Sequence, residues 1–174
     1  MSSRILVDEV YGKTAGTSAL EVNSGGFLLP KKPILFSVDA TDIDQTASAN
    51  QTKLEWENVR VDTGGYWDST NHRYQPSVAG WYLFGGVVRF AAPTTNSFVA
   101  VNIRKNGTGR YATIQIQFNS DVITNSSYPL PSTFIELNGS TDYVDVTIDR
   151  DENLTVHDSS GYVSEFWGVL QYAT

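Results

Sequence analysis

Residues able to do acid–base or metal chemistry are unevenly supplied in this chain. Histidine occurs twice, as His72 and His157, and cysteine does not occur. A catalytic triad needs a histidine beside a serine and a carboxylate, and no serine here is framed by the glycines of a nucleophile elbow. Without thiols there is no disulfide framework and no thiolate metal site. Carboxylates crowd two stretches, Asp39, Asp42 and Asp44, and Asp149, Asp151 and Glu152. Two carboxylates at a suitable separation can hydrolyse glycosides. The same oxygens can ligate calcium, for which Asp149, Asp151 and Glu152 are the candidate set. Acidic loops are more often simply solvated, and no glycine-rich loop runs into Lys-Ser/Thr to cradle a phosphate. The expectation is a protein that builds or binds: no catalytic residues, no enzyme, and calcium as the one cofactor worth considering.

Aromatic side chains near turns offer a different chemistry. Tyr66, Trp67 and Tyr74, with Tyr111 and Tyr162 behind them, could stack on sugar rings, and all-β sandwiches of the jelly-roll kind often carry sugar sites. The net charge of −7 and pI near 4.7 oppose phosphate backbones and anionic lipid surfaces, so neither nucleic acid nor membrane is an expected partner. No apolar run is long enough to span a bilayer. Met1–Tyr11 does not read as a signal peptide, and the missing cysteines favour assembly in a reducing cytoplasm.

These side chains must be positioned by strands. Period-two alternation recurs, as in Ile114-Gln115-Ile116-Gln117-Phe118 and Tyr143-Val144-Asp145-Val146-Thr147-Ile148, and no amphipathic helix pattern competes with it. Turns at Gly64-Gly65, Asn106-Gly107, Asn138-Gly139 and Ser160-Gly161 separate the runs. The pattern predicts strands near 34–38, 54–61, 73–76, 80–90, 98–105, 111–118, 132–138, 142–149, 153–157 and 163–172, with 39–53 and 119–131 as loops. The class is all-β, an antiparallel sandwich or barrel of about ten strands. Residues 1–32 differ: Ile5, Leu6, Val7 and Val10, then Phe27, Leu28 and Leu29, form two short apolar patches split by glycines. So short a segment cannot bury them alone: it is an extra edge strand packed on its own domain or, the favoured expectation, an extended arm that docks on another subunit or a larger assembly, ahead of a head domain at 33–174.

A family resemblance rests on ordered motifs from Pro33 onward. Pro33-Ile34-Leu35-Phe36-Ser37-Val38 opens it, and Leu54-Glu55-Trp56-Glu57-Asn58-Val59-Arg60-Val61-Asp62 with Gly64-Gly65-Tyr66-Trp67-Asp68 continues it. Then come Gly80-Trp81-Tyr82-Leu83-Phe84, Lys105-Asn106-Gly107, Phe134 to Asp142 and Ser164-Glu165-Phe166-Trp167-Gly168. Together they resemble the globular head of the complement first-component subunit q, in the tumour necrosis factor-like jelly-roll superfamily. The resemblance implies a jelly roll that assembles as a homotrimer. The family's compact "glycine, aspartate" turn is spread here over Gly139-Ser140-Thr141-Asp142, and no collagen-like stalk is present.

Alternation places Trp81 and Leu83 on one face of their strand and Tyr82 and Phe84 on the other; Trp167 likewise opposes Phe166. Trp81, Tyr82, Phe84, Phe166 and Trp167 are therefore expected to serve the core or a trimer seam, the alternative to the seam being a monomer core that takes them all. The segment Ile5–Pro30 resembles the opening of many phage structural and tail-fibre proteins. The combined expectation is a virion component, assembled in the host cytoplasm and anchored to other virion proteins by its arm, as capsid decoration, fibre or knob. It could touch a host-surface glycan. The alternative is a freestanding carbohydrate or cell-surface binding module.

Overall fold

Alternating apolar and polar residues give strands such as Gly109–Phe118 one drier and one wetter face, whereas Val144–Arg150 is buried on both, and no helix forms among the described residues. The computed structural model describes residues 9–11, 18–22, 28–30, 33–40, 45–47, 50–90, 97–118, 126–150, 154–156 and 164–174. The chain divides into two units, Met1–Pro33 and Ile34–Thr174. In the first, β1 (Glu9–Tyr11), β2 (Ser18–Val22) and β3 (Leu28–Pro30) form an antiparallel sheet in chain order, with Val10 opposite Leu20 and Val22 opposite Leu28. The paired strands satisfy one another's amides and carbonyls. Ile5, Leu6, Val7 and Phe27 lie outside the described residues.

The second unit contains β4 (Leu35–Ala40), β5 (Gln45–Ala47), β6 (Thr52–Lys53), β7 (Asn58–Asp62), β8 (Trp67–Asp68), β9 (Arg73–Tyr74) and β10 (Ala79–Phe90). It continues with β11 (Ser97–Lys105), β12 (Gly109–Phe118), β13 (Ser126–Asn138), β14 (Val144–Arg150), β15 (Leu154–Val156) and β16 (Ser164–Ala173). In sheet one, β10 is flanked by β13 on one edge and by β16 and β15 on the other; β4 and β7 follow β16, and β5 follows β15. Sheet two runs β12-β11-β14-β9-β8, with β6 also on β14. The principal strands β4, β16, β10, β13 of one sheet and β9, β14, β11, β12 of the other are visited in jelly-roll order.

The core lies between the sheets. Phe36 of β4 stacks on Tyr74 of β9 at 4.1 Å between centroids, and its ring also meets Trp67, Phe84 and Phe166. Val99, Val101 and Ile103 face them from β11, with Val144, Val146 and Ile148 from β14. A second aromatic group, Phe90, Phe118 and Tyr128, closes the other end of β10.

Three segments differ from the sequence expectation. Residues 54–57 alternate in burial but are not a strand: Leu54 N–H donates to Val146 of sheet two, and Glu57 N–H donates to Asp39 of sheet one. The chain changes sheets there, with Leu54 and Trp56 still facing the core. The polar stretch 39–53 contains β5 and β6, which add short lengths to β15 and β14. The expected loop 119–131 becomes strand from Ser126. Pro129 and Pro131 are tolerated because β13 is an edge strand, hydrogen-bonded only to β10 among the described residues.

Gly168 of β16 is closely packed against core rings. A Cβ there would stand 2.6 Å from the Phe36 ring and 2.7 Å from the Phe84 ring. Gly168→Ala is expected to lower unfolding stability by about 1–3 kcal/mol, measured by urea denaturation; an unchanged midpoint would contradict the packing described.

Candidate functional site

The outward faces of the two sheets differ in chemistry. On sheet one, register brings side chains into rows: Tyr172, Trp81 and Glu136; then Leu35, Val169, Leu83 and Phe134; then Val61, Ser37, Trp167 and Gly85. Trp81 is 41% exposed, Phe134 55% and Tyr172 66%. Trp167 lies half-buried across Gly85, where any Cβ would collide with its ring at 2.5 Å. The aromatics expected to serve core or seam thus separate cleanly: Tyr82, Phe84 and Phe166 are fully buried, while Trp81 and Trp167 face outward. Phe134, Tyr172 and Val61 complete this apolar face and were not singled out from the sequence; the alternation in Phe134-Ile135-Glu136-Leu137 was the available signal. Beyond the apolar rows the face turns charged, where Asp39 is gripped by Arg60 and Asn58, and Ser37 donates to Glu165 at 2.6 Å.

On sheet two the outward face is polar and closely bonded. Arg104 makes a two-pronged pair with Asp145 at 3.0 and 3.1 Å, and Lys53 reaches the same carboxylate at 3.3 Å. Asn102 donates to Asp149 at 3.1 Å and accepts from Thr113 at 2.7 Å; Arg110 also pairs with Asp149, and Gln51 N–H donates to it at 2.9 Å. Asp149, considered for calcium, is therefore committed to protein donors, and Asp151 and Glu152 lie outside the described residues. No group of three potential metal ligands occurs among the described residues.

The turns at one end of the sandwich form a groove of about 270 Å³. Asp62 organises it, accepting from the N–H groups of Gly64, Gly65 and Trp67 at 3.3, 3.0 and 2.7 Å; Gly65 sits at φ +69°. Tyr66 and Trp67 line the groove, with Tyr66 Oη accepting from Ser77 at 2.9 Å. Trp67 gives one face to Phe36 and packs edge-on to Phe166, so its ring serves the core. Tyr74, expected beside them as a sugar platform, is a correction: it is completely buried, and that burial pushes its hydroxyl far above the ordinary tyrosine value. Tyr82 is pushed up to about 12, also by burial, and donates to Val78 O at 2.8 Å. His72 makes no hydrogen bond to a serine or carboxylate among the described residues, and His157 lies outside them.

The groove's other wall is the turn Asn138–Asp142. Asn138 Oδ1 accepts from the N–H groups of Ser140, Thr141 and Asp142, each at 3.0 Å, and Asp142 accepts from Asn138 N–H at 3.0 Å. This resolves the register of the spread "glycine, aspartate" turn: Gly139 takes the left-handed position at φ +67° and Asp142 closes the loop. Burial alone would raise the Asp142 carboxyl, but hydrogen bonds from Asn106, Lys105 and the Asn138 backbone together hold it below the usual carboxylate range.

No family model matches the chain, and no curated protein matches it. Among solved structures it is similar to the globular domain of zebrafish complement 1qA protein, with 16% identity and a TM-score of 0.55, over 83% of this chain and all of the other. That likeness shows the fold: an all-β jelly roll of the complement 1q type.

Asp142 supplies a pH-dependent test of the turn. Its folded carboxyl lies below the unfolded value of 3.8, so its stabilisation is complete above that value and disappears as pH falls through the folded one. Asp142→Asn should be less stable than the parent at neutral pH, and the gap should close below about pH 4. Urea titrations across that range measure it; a gap independent of pH would contradict the assignment.

Proposed function

We propose that this chain is a non-enzymatic structural subunit that assembles as a homotrimer through the outward face of sheet one. The observation that carries this reading is the apolar face itself. Trp81, Phe134, Tyr172, Leu35, Leu83, Val169 and Val61 lie outward together, and contiguous apolar surface of this kind on a protein marks an interaction site. The outward face of the opposite sheet is instead dominated by charged pairs, Arg104 with Asp145 and Arg110 with Asp149. The resemblance to the complement-q head supplies the stoichiometry of three. The setting proposed is a phage particle assembled in the host cytoplasm, with residues 1–32 attaching the subunit to other virion proteins as capsid decoration or tail appendage. Support for that setting comes from the resemblance of Ile5–Pro30 to phage structural proteins and from a separate N-terminal unit joined to a jelly roll.

Light scattering of the purified chain should give three times the 19.2 kDa of one copy. Trp81→Glu with Phe134→Glu should reduce it to one copy while leaving the β-sheet circular dichroism intact, because both side chains lie outside the core; a trimer persisting in the double variant would overturn the interface. Deletion of residues 1–32 should leave the oligomer formed and abolish incorporation into particles. Normal incorporation of the truncated chain would refute the attachment role.

A further inference from the structure

The outward face of sheet two contains a second groove, of about 350 Å³, that the trimer reading leaves unused. Its origin is one small residue in a row of larger ones. Register sets Ala100 between Gln115 of β12 and Asp149 of β14, while Phe98 and Asn102 stand two residues to either side along β11. The missing side-chain volume at Ala100 leaves a depression, which the turn at Asn50-Gln51 closes from the far side. This size lies at the small end of the ~300–1,000 Å³ typical of small-molecule sites.

The walls are polar and mostly hydrogen-bonded. Asp149 is bonded by Gln51, Asn102 and Arg110, and Thr113 donates to Asn102. Asn50 Oδ1 accepts from Arg150 N–H at 3.1 Å, which orients its amide nitrogen as a donor. Among the described residues the Gln115 side chain makes no hydrogen bond, and the Arg110 guanidinium spends one nitrogen on Asp149. The Asn50 amide and the Arg110 guanidinium, each held by a neighbour, with the unbonded Gln115 amide and the half-buried ring of Phe98 beside them, match a ligand with ring hydroxyls around an apolar face. Arg110 and Asp149 cancel each other's charge, and the chain's net −7 disfavours a polyanion. We infer that the groove over Ala100, walled by Phe98, Gln115, Arg110, Asp149 and Asn50, binds a neutral saccharide of one or two rings. It is independent of the proposed trimer: the groove lies on sheet two and the apolar face on sheet one.

The test uses the full chain labelled with ¹⁵N, titrated with methyl glycosides of glucose, galactose, mannose and N-acetylglucosamine, each as a neutral probe, with sialic acid as the acidic comparison. At least one neutral glycoside should shift the amide signals of residues 98–102, 110–115 and 149, with a Kd of order 1 mM. Ala100→Leu, which fills the depression and removes no polar group, should weaken binding about tenfold or more. Gln115→Ala, at an exposed position whose side chain supports nothing else, should do so with an unchanged melting temperature, and keeps the test valid if Ala100→Leu fails to fold. The inference is overturned by no shift with any neutral probe, by a preference for sialic acid, by shifts confined to 65–68, 75–77 and 139–140, or by full binding in Gln115→Ala. Light scattering on the same samples reads the oligomer separately, so loss of the trimer and loss of saccharide binding are distinguishable.

Discussion

The fold is organised around the ring of Phe36. It lies on the inner face of sheet one, stacks on Tyr74 of sheet two, and also touches Trp67, Phe84 and Phe166. Offset and edge-to-face ring pairs add ~0.5–1.5 kcal/mol each beyond burial, but the geometric consequence is larger. One side chain sets the spacing between the sheets and fixes β4 against β9, β10 and β16. Gly168 must lack a Cβ because this ring and that of Phe84 occupy the space. Trp67 stacks on the same ring, and its N–H, with those of Gly64 and Gly65, is held by Asp62.

With both inner faces committed, the outer faces are free to differ. Sheet one carries a hydrophobic surface that burial against another copy would stabilise. Sheet two carries ion pairs instead, Arg104 with Asp145 and Arg110 with Asp149. Sequence alternation writes this asymmetry directly: Trp81 and Leu83 against Tyr82 and Phe84, and Ala100 and Asn102 against Val99 and Val101.

Much of the head was legible for that reason. Period two identifies the long strands β10, β11, β12, β14 and β16, and it says which residues share a face. It does not say which face is inside: Trp81 and Tyr82 are equally apolar, and only the opposing sheet decides between them. Residues 54–57 kept the alternation of a strand because they keep facing the core while changing hydrogen-bonding partners. Residues 126–131 lost the signature of a strand because two prolines occupy an edge. Tyr74 was misplaced because a short turn-flanked segment gives no sign that its ring crosses the core. The groove over Ala100 was invisible: it joins residues from 50 to 149, and an alanine in a strand announces nothing. Asp142 and Asn138, by contrast, sit at a turn that the sequence already marked.

The prolines of β13 have a consequence for how copies of this domain can meet. A sheet edge with free amides invites a neighbouring strand to extend it, and such extension has no natural limit. Pro129 and Pro131 contribute no N–H, so the outer edge of β13 offers an interrupted ladder to an incoming strand. Copies are steered away from joining side by side into a continuous sheet, and toward meeting face on, where a finite apolar area closes on itself and growth stops.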